Sequence, residues 1–161
     1  PWQFPEKLVP LVINKALNGN DIPIYGDGMN IRDWLYVEDH INALLLIINK
    51  GLEGEKYCIG GQAEKTNIEI VEDICRKMTN INIKDKVNYL DQIIFVKDRL
   101  GHDKRYSINP LKMVNELNWK PQFNYDEALD NTIGWYLKNQ KWVDYVSKKS
   151  NYYGQRMGES I

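Results

Sequence analysis

The sequence predicts an α/β chain. Segments with helical apolar spacing alternate with short runs rich in β-branched and aromatic residues, and glycines punctuate the joins between them. Pro5 stands where a helix begins, its fixed φ and missing donor harmless there. Apolar residues from Leu8 to Leu17 occupy more than one helix face, and Gly19 is suited to end that helix in the left-handed region. Ile22-Pro23-Ile24-Tyr25 is a short extended segment, Gly26-Asp27-Gly28 a turn, and Ile31 to Val37 a strand. A helix runs from about Val37 to Lys50 with Gly51 as its stop, and its second half is apolar all round, which predicts burial on several sides. Tyr57-Cys58-Ile59-Gly60-Gly61 reads as a short buried strand. Val71, Ile74, Cys75 and Met78 share one face of an amphipathic helix from Asn67 to Met78, with Thr66 and Glu69 placed for a capping box. Ile93 to Val96 is a strand, followed by a polar loop from Lys97 to Lys104. Pro110 opens a short helix to Leu117, and Leu129, Ile133, Tyr136 and Leu137 mark another from about Tyr125 to Asn139. The polar tail from Gly154 is expected to fray.

Composition excludes several classes of function. With 161 residues and 43% apolar content, the chain has material for the core of about one domain. A net charge of −1 leaves no clustered basic excess, so no nucleic-acid partner is expected. The longest apolar run, Ala43 to Ile48, is far short of the roughly 20 residues that span a bilayer, and no charged-then-apolar leader opens the chain. No membrane partner is expected. Cys58 and Cys75 lack CxxC spacing, and His40 and His102 are far apart. This argues against a zinc site or a disulfide framework and fits a reducing, cytoplasmic setting. The opening Pro1-Trp2-Gln3-Phe4-Pro5 reads as the middle of a loop, so the chain is expected to be a fragment.

Few motifs carry chemistry. Gly26-Asp27-Gly28 is followed by Met29-Asn30-Ile31, so the phosphate-cradling GxGxxG fails at its last glycine, and it precedes a strand instead of opening a helix. Tyr145 and Lys149 have Tyr-x-x-x-Lys spacing but follow all the sheet elements in Lys-rich surface sequence. Glu38, Asp39 and His40 cluster where a helix starts, and acids there complement the helix dipole. No catalytic, cofactor-binding or metal-ligating residue is therefore expected in this chain. Anion-binding and stacking groups remain. Arg32 and Arg99 converging on a diphosphate would make planar, bidentate hydrogen bonds. By spacing alone, ordinary surface ion pairs with Asp33 and Asp98 are the stronger reading. Tyr25, beside Pro23, either stacks on a base or sits in the core. Asn67 either binds a ligand oxygen or caps a helix. His102 either donates to a ribose or phosphate oxygen or is solvated.

Taken together, several segments resemble the C-terminal half of dTDP-glucose 4,6-dehydratases, extended short-chain dehydrogenase/reductase enzymes. They are Phe4-Pro5-Glu6-Lys7-Leu8-Val9-Pro10-Leu11, Pro23-Ile24-Tyr25-Gly26 and the run Ile31-Arg32-Asp33-Trp34-Leu35-Tyr36-Val37-Glu38-Asp39-His40. Tyr57-Cys58-Ile59-Gly60-Gly61, Thr66-Asn67-Ile68 and Asp98-Arg99-Leu100-Gly101-His102-Asp103-Lys104-Arg105-Tyr106 continue it. Leu117-Asn118-Trp119-Lys120-Pro121 and Trp135-Tyr136-Leu137 complete it. Order and spacing hold from Pro1 to about Trp142.

The resemblance implies an N-terminal Rossmann domain that binds NAD and a smaller C-terminal domain that holds the nucleotide sugar. In that family hydride leaves sugar C4 for NAD, an Asp-Glu pair helps remove water across C5–C6, and hydride returns to C6. The product is a 4-keto-6-deoxy sugar for deoxysugar biosynthesis, rhamnose included. By position, Lys7 and Leu8 would line the nucleotide-sugar pocket, and Pro23, Ile24 and Tyr25 would border the base. Arg32 and Arg99 would hold the diphosphate, and Asn67 with Asp98 to His102 would complete the site. NAD would be bound by the missing N-terminal half, and dTDP-glucose or UDP-glucose by this one, in a homodimer of the full-length protein. Residues 1–36 and 62–150 would form the substrate-binding domain, 37–61 a helix and strand of the Rossmann sheet, and 151–161 a flexible tail. Leu100 replaces the usual proline of the second loop, and Cys58 replaces the usual asparagine. The match weakens after Trp142, where Tyr152 or Tyr153 would be a substrate-contacting tyrosine. Alternatives are a UDP-sugar 4-epimerase or decarboxylase of the same class, or a catalytically silent sugar-nucleotide binding module.

Overall fold

The computed structural model describes residues 1–81 and 87–152. The helices are α1 (Leu8–Leu17), α2 (Val37–Lys50), α3 (Asn67–Ile81), α4 (Leu111–Leu117), α5 (Tyr125–Lys138) and α6 (Gln140–Lys149). The strands are β1 (Ile22–Tyr25), β2 (Ile31–Asp33), β3 (Glu64–Thr66), β4 (Ile93–Val96) and β5 (Arg105–Tyr106). The chain divides into two compact units. Pro1–Met29, Asn67–His102 and Asp130–Ile161 make the first, and Asn30–Thr66 with Asp103–Leu129 the second.

In the first unit β1 and β4 pair in parallel, Ile22 opposite Ile93 and Tyr25 opposite Val96. Helix α1 packs against α3. Val9, Val12, Ile13 and Ala16 of α1 are buried, as are Ile70, Val71, Ile74, Cys75 and Met78 of α3, each set at the spacing of one helix face. Burial, with the neighbouring Glu72 charge, pushes the Cys75 thiol up to about 12, so this cysteine is a packing group. Tyr136 of α5 is fully buried and its hydroxyl donates to the Gln3 carbonyl at 2.8 Å. This bond gives the buried phenol a partner and pins the segment before α1. Trp2 packs on Trp135 and Trp142, with ring centroids 4.6 Å and 5.2 Å away.

In the second unit β2 is central. It runs antiparallel to β3, Arg32 opposite Lys65, and parallel to β5, Arg32 opposite Tyr106. A small core of Ala43, Met113 and Trp119 is packed by Leu35, Leu46, Ile47, Tyr57, Ile59 and Leu117. Two carboxylates organise the backbone around it. Asp33 accepts from the amides of Gly61 (2.8 Å) and Ala63 (2.9 Å). Asp39, only 1% exposed, accepts from the amides of Gln122 (2.8 Å) and Phe123 (3.2 Å). Asp39 therefore does more than complement a helix dipole: it satisfies the chain that leads into α5.

The mixed helix and strand architecture is the α/β fold the sequence predicts, with local differences. The first helix begins at Leu8, and Pro5 lies in the turn before it. The expected strand from Ile31 to Val37 ends at Asp33, because Tyr36 already caps α2. Tyr57–Gly61 is not a strand among the described residues. A strand exists only through its ladder, and here the Gly61 amide goes to the Asp33 carboxylate instead. Helix α2 has the expected bounds but is not buried on several sides. Ile41, Leu44, Leu45 and Ile48 are 48%, 40%, 52% and 78% exposed, because this unit packs α4 on one side of it. Strands β3 and β5 and helix α6 were not expected. The first two are too short to show a period, and α6 is a short segment whose last turn is rich in Lys. The expected frayed tail from Gly154 lies outside the described residues.

Asp39→Ala strands two part-buried amides. It should lower the unfolding free energy of the full-length protein by about 2–4 kcal/mol, read from urea denaturation, while a substitution at exposed Glu38 should change it little.

Candidate functional site

The first unit brings four of the sequence-predicted residues into contact. Strands β1 and β4 end side by side, and the Gly26 amide extends the ladder by donating to the Val96 carbonyl at 2.9 Å. The chain after β4 then passes Tyr25. The Arg99 guanidinium lies 4.8 Å from the Tyr25 ring centroid, and the His102 ring stands edge-on to Tyr25 at 6.4 Å. Arg99 Nη2 is 3.1 Å from His102 Nε2, and His102 Nδ1 is 2.7 Å from Asp98 Oδ1. A guanidinium only donates, so His102 Nε2 accepts and Nδ1 carries the hydrogen given to Asp98. The three groups form one directed chain, Arg99 to His102 to Asp98. The Asp98 carboxyl is held below its ordinary value, first by the His102 bond and also by the Arg99 amide.

Of the expected surface ion pairs, the structure supports neither. Asp98 takes the imidazole and the Arg99 amide, and Asp33 takes two backbone amides. Arg32 lies in the second unit, on β2. Its guanidinium sits 4.6 Å from the Tyr106 ring centroid. Nη1 donates to the Ile31 carbonyl at 2.6 Å and Nη2 to the Asp103 carbonyl at 3.0 Å. The Asn30 amide nitrogen joins the same carbonyl at 3.3 Å.

The remaining candidates occupy helix starts and strand β1. Lys7 is the N-cap residue of α1 and pairs with Glu6 at 2.6 Å, and Leu8 is the first helical residue, half-buried. Asn67 opens α3. Pro23 and Tyr25 share the half-buried face of β1, whereas Ile24 is 2% exposed and belongs to the core. Asp103, Tyr106 and Asn30 were missed as supports of Arg32. Their signal is the β2–β5 register, and a two-residue strand carries no pattern from which to read it.

The glycine turn is a packing device. Gly26 and Gly28 both have positive φ, 60° and 73°. A Cβ on Gly26 would lie 2.9 Å from the Asp98 carboxylate, and one on Gly28 would lie 2.9 Å from Ile24 and Ile68. The space a phosphate would need is already filled by side chains. The described residues thus offer no dinucleotide cradle here, and none of their His, Cys, Asp and Glu side chains group as metal ligands. Tyr145 and Lys149 lie one turn apart on α6, the ammonium 5.9 Å from the ring centroid, with Tyr145 61% exposed. No helix among the described residues is long and apolar enough to cross a membrane.

This fold is the one found in the extended short-chain dehydrogenase enzymes, as comparison with solved structures shows. The chain belongs to the GDP-mannose 4,6 dehydratase family, whose pattern matches residues 1–132. It is similar to dTDP-glucose 4,6-dehydratase 1 of Escherichia coli K12, 51% identical over 146 residues, covering 91% of this chain and 40% of that protein. Its structure resembles dTDP-glucose 4,6-dehydratase from Bacillus anthracis in complex with NAD, with a TM-score of 0.78 and 46% identity over 90% of this chain and 43% of the other. The Streptomyces venezuelae dTDP-glucose 4,6-dehydratase DesIV, also with NAD bound, matches with a TM-score of 0.74 and 38% identity, over 88% of this chain and 42% of that one. The chain spans about 40% of the length of the curated relatives it matches and corresponds to their C-terminal half.

Gly26→Ala places a Cβ against the Asp98 carboxylate at a left-handed φ. The backbone strain alone should cost about 1–2 kcal/mol. The displaced carboxylate should also release His102, visible as a shift of its imidazole resonances, whereas Gly19→Ala, with open space around it, should show only the strain.

Proposed function

We propose that this chain is the nucleotide-sugar-binding half of an NAD-dependent 4,6-dehydratase acting on dTDP-glucose or UDP-glucose. One observation supports this above the others. The Asp98–His102–Arg99 chain holds a guanidinium over the Tyr25 ring, at the end of β1. An arginine already held this way loses less side-chain freedom when an anionic ligand with paired acceptor oxygens binds to it. The similarity to dTDP-glucose 4,6-dehydratases makes a nucleoside diphosphate the natural ligand.

In this reading Arg99 and Arg32 bind the diphosphate, and His102 and Asp98 orient Arg99. Tyr25 and Pro23 border the base, with Ile24 holding them from the core side. Lys7, Leu8 and Asn67 line the rest of the nucleotide sugar. These residues bind and orient; the chemistry at sugar C4, C5 and C6 is assigned to groups outside this chain. NAD, when bound, supplies the hydride exchange, and no residue of this chain is assigned to it, since the glycine turn is filled. By itself the chain is expected to turn over nothing. Residues 1–36 and 62–150 are assigned to the substrate-binding domain, and 37–61 to the wall of the dinucleotide-binding domain. The exposed apolar side of α2 supports that last assignment. The full-length protein is assigned as a cytoplasmic homodimer serving deoxysugar biosynthesis.

Two measurements test this. Full-length protein given dTDP-glucose and NAD should form a 4-keto-6-deoxy sugar; a 4-epimer or a decarboxylated product would replace this reading with another of the same enzyme class. Arg99→Ala and Arg32→Ala should each weaken dTDP binding roughly ten- to hundredfold, the worth of a charged hydrogen bond of about 1.5–3 kcal/mol. Unchanged affinity in calorimetry would sink the diphosphate assignment.

A further inference from the structure

We propose that Tyr106 is a positioning residue that keeps the Arg32 guanidinium available to an anionic ligand, by stacking on it and by keeping the Asp103 carboxylate away from it. The inference rests on Arg32 binding the ligand diphosphate, as proposed above. It begins with register. Arg32 and Tyr106 are partners across the parallel β2–β5 ladder, so their side chains leave the sheet on the same face. The guanidinium carbon lies 4.6 Å from the ring centroid, within cation–π distance. The carbonyls of Ile31 and Asp103 each take one N–H. A guanidinium has five N–H donors, so three remain on a plane already fixed by the ring below it and the two carbonyls at its edge.

Asp103 is the group that could spoil this arrangement. Its carbonyl accepts from Arg32, so its carboxylate is tethered within reach of the same cation. Yet the two form no ion pair. The carboxylate instead accepts the Tyr106 hydroxyl. That bond, with a smaller contribution from desolvation and the Asp103 charge, raises the Tyr106 pKa, so the hydroxyl keeps its proton and stays a donor. Tyr106 is 55% exposed, so it adds little to any core. Its described partners are Arg32 and Asp103, the cation and the acid that would otherwise neutralise it.

The test uses full-length protein and dTDP titrated by calorimetry. Tyr106→Phe frees the Asp103 carboxylate to pair with Arg32 and should weaken binding about two- to fivefold, the reach of an exposed ion pair. Adding Asp103→Asn to Tyr106→Phe should restore the parent affinity, a rescue that a merely structural role would not produce. Tyr106→Leu, which also loses the ring, should bind more weakly than Tyr106→Phe. In an Arg32→Ala background none of these changes should matter. If Arg32→Ala weakens binding but Tyr106→Phe does not, or if Asp103→Asn brings no rescue, the positioning role is wrong and the diphosphate reading stands. If Arg32→Ala itself leaves affinity unchanged, the diphosphate reading falls and this one with it.

Discussion

Strands β1 and β4 run in the same direction, so they end at the same edge. The turn after Tyr25 and the loop after Val96 leave the sheet together. An antiparallel pairing would have sent that loop to the opposite end of β1. Parallel pairing puts Asp98 against Gly26, at a distance only a residue without a Cβ tolerates. From that one contact the rest of the cluster follows. Asp98 takes the imidazole of His102, His102 takes the Arg99 guanidinium, and Arg99 lies over Tyr25. Each link uses the one before it, and none is covalent.

The second unit solves the same problem with different parts. Arg32 is also held by a parallel pairing, β2 with β5. Its support is a ring and two backbone carbonyls in place of an imidazole and a carboxylate. Two carboxylates in this unit are spent on backbone amides, Asp33 on residues 61 and 63 and Asp39 on residues 122 and 123, whereas Glu64 pairs with Arg105. Asp33, which looks like an ion-pair partner of Arg32 in the sequence, is tied to the main chain, and Arg32 keeps donors for something else.

Much of the framework was legible beforehand. The 3.6-residue period of α3 and the bounds of α2, α4 and α5 were within a few residues, because amphipathic burial writes itself into composition. The glycine turn at 26–28 was readable as a turn, though its reason was not. Other features escaped. Tyr57–Gly61 has the composition of a strand but no ladder here, since pairing depends on a neighbour that local sequence does not specify. β5 is two residues long, and no period exists over two residues. The apolar second half of α2 suggested burial all round, but apolarity says only that a surface prefers cover, not that this chain supplies it.

The candidate residues divide in the same manner. Side-chain type and order along the chain, read together with a family resemblance, were enough to nominate Tyr25, Arg32, Asp98, Arg99 and His102, because guanidinium, imidazole and phenol chemistry is intrinsic to each residue. The relations among them were decided by tertiary structure: Asp98 paired with His102 and not with Arg99's guanidinium, Arg32 stacked on Tyr106, Asp33 turned to the backbone. These depend on strand register and on a glycine's missing Cβ. Both are set by how distant segments pack, so no window of sequence contains them.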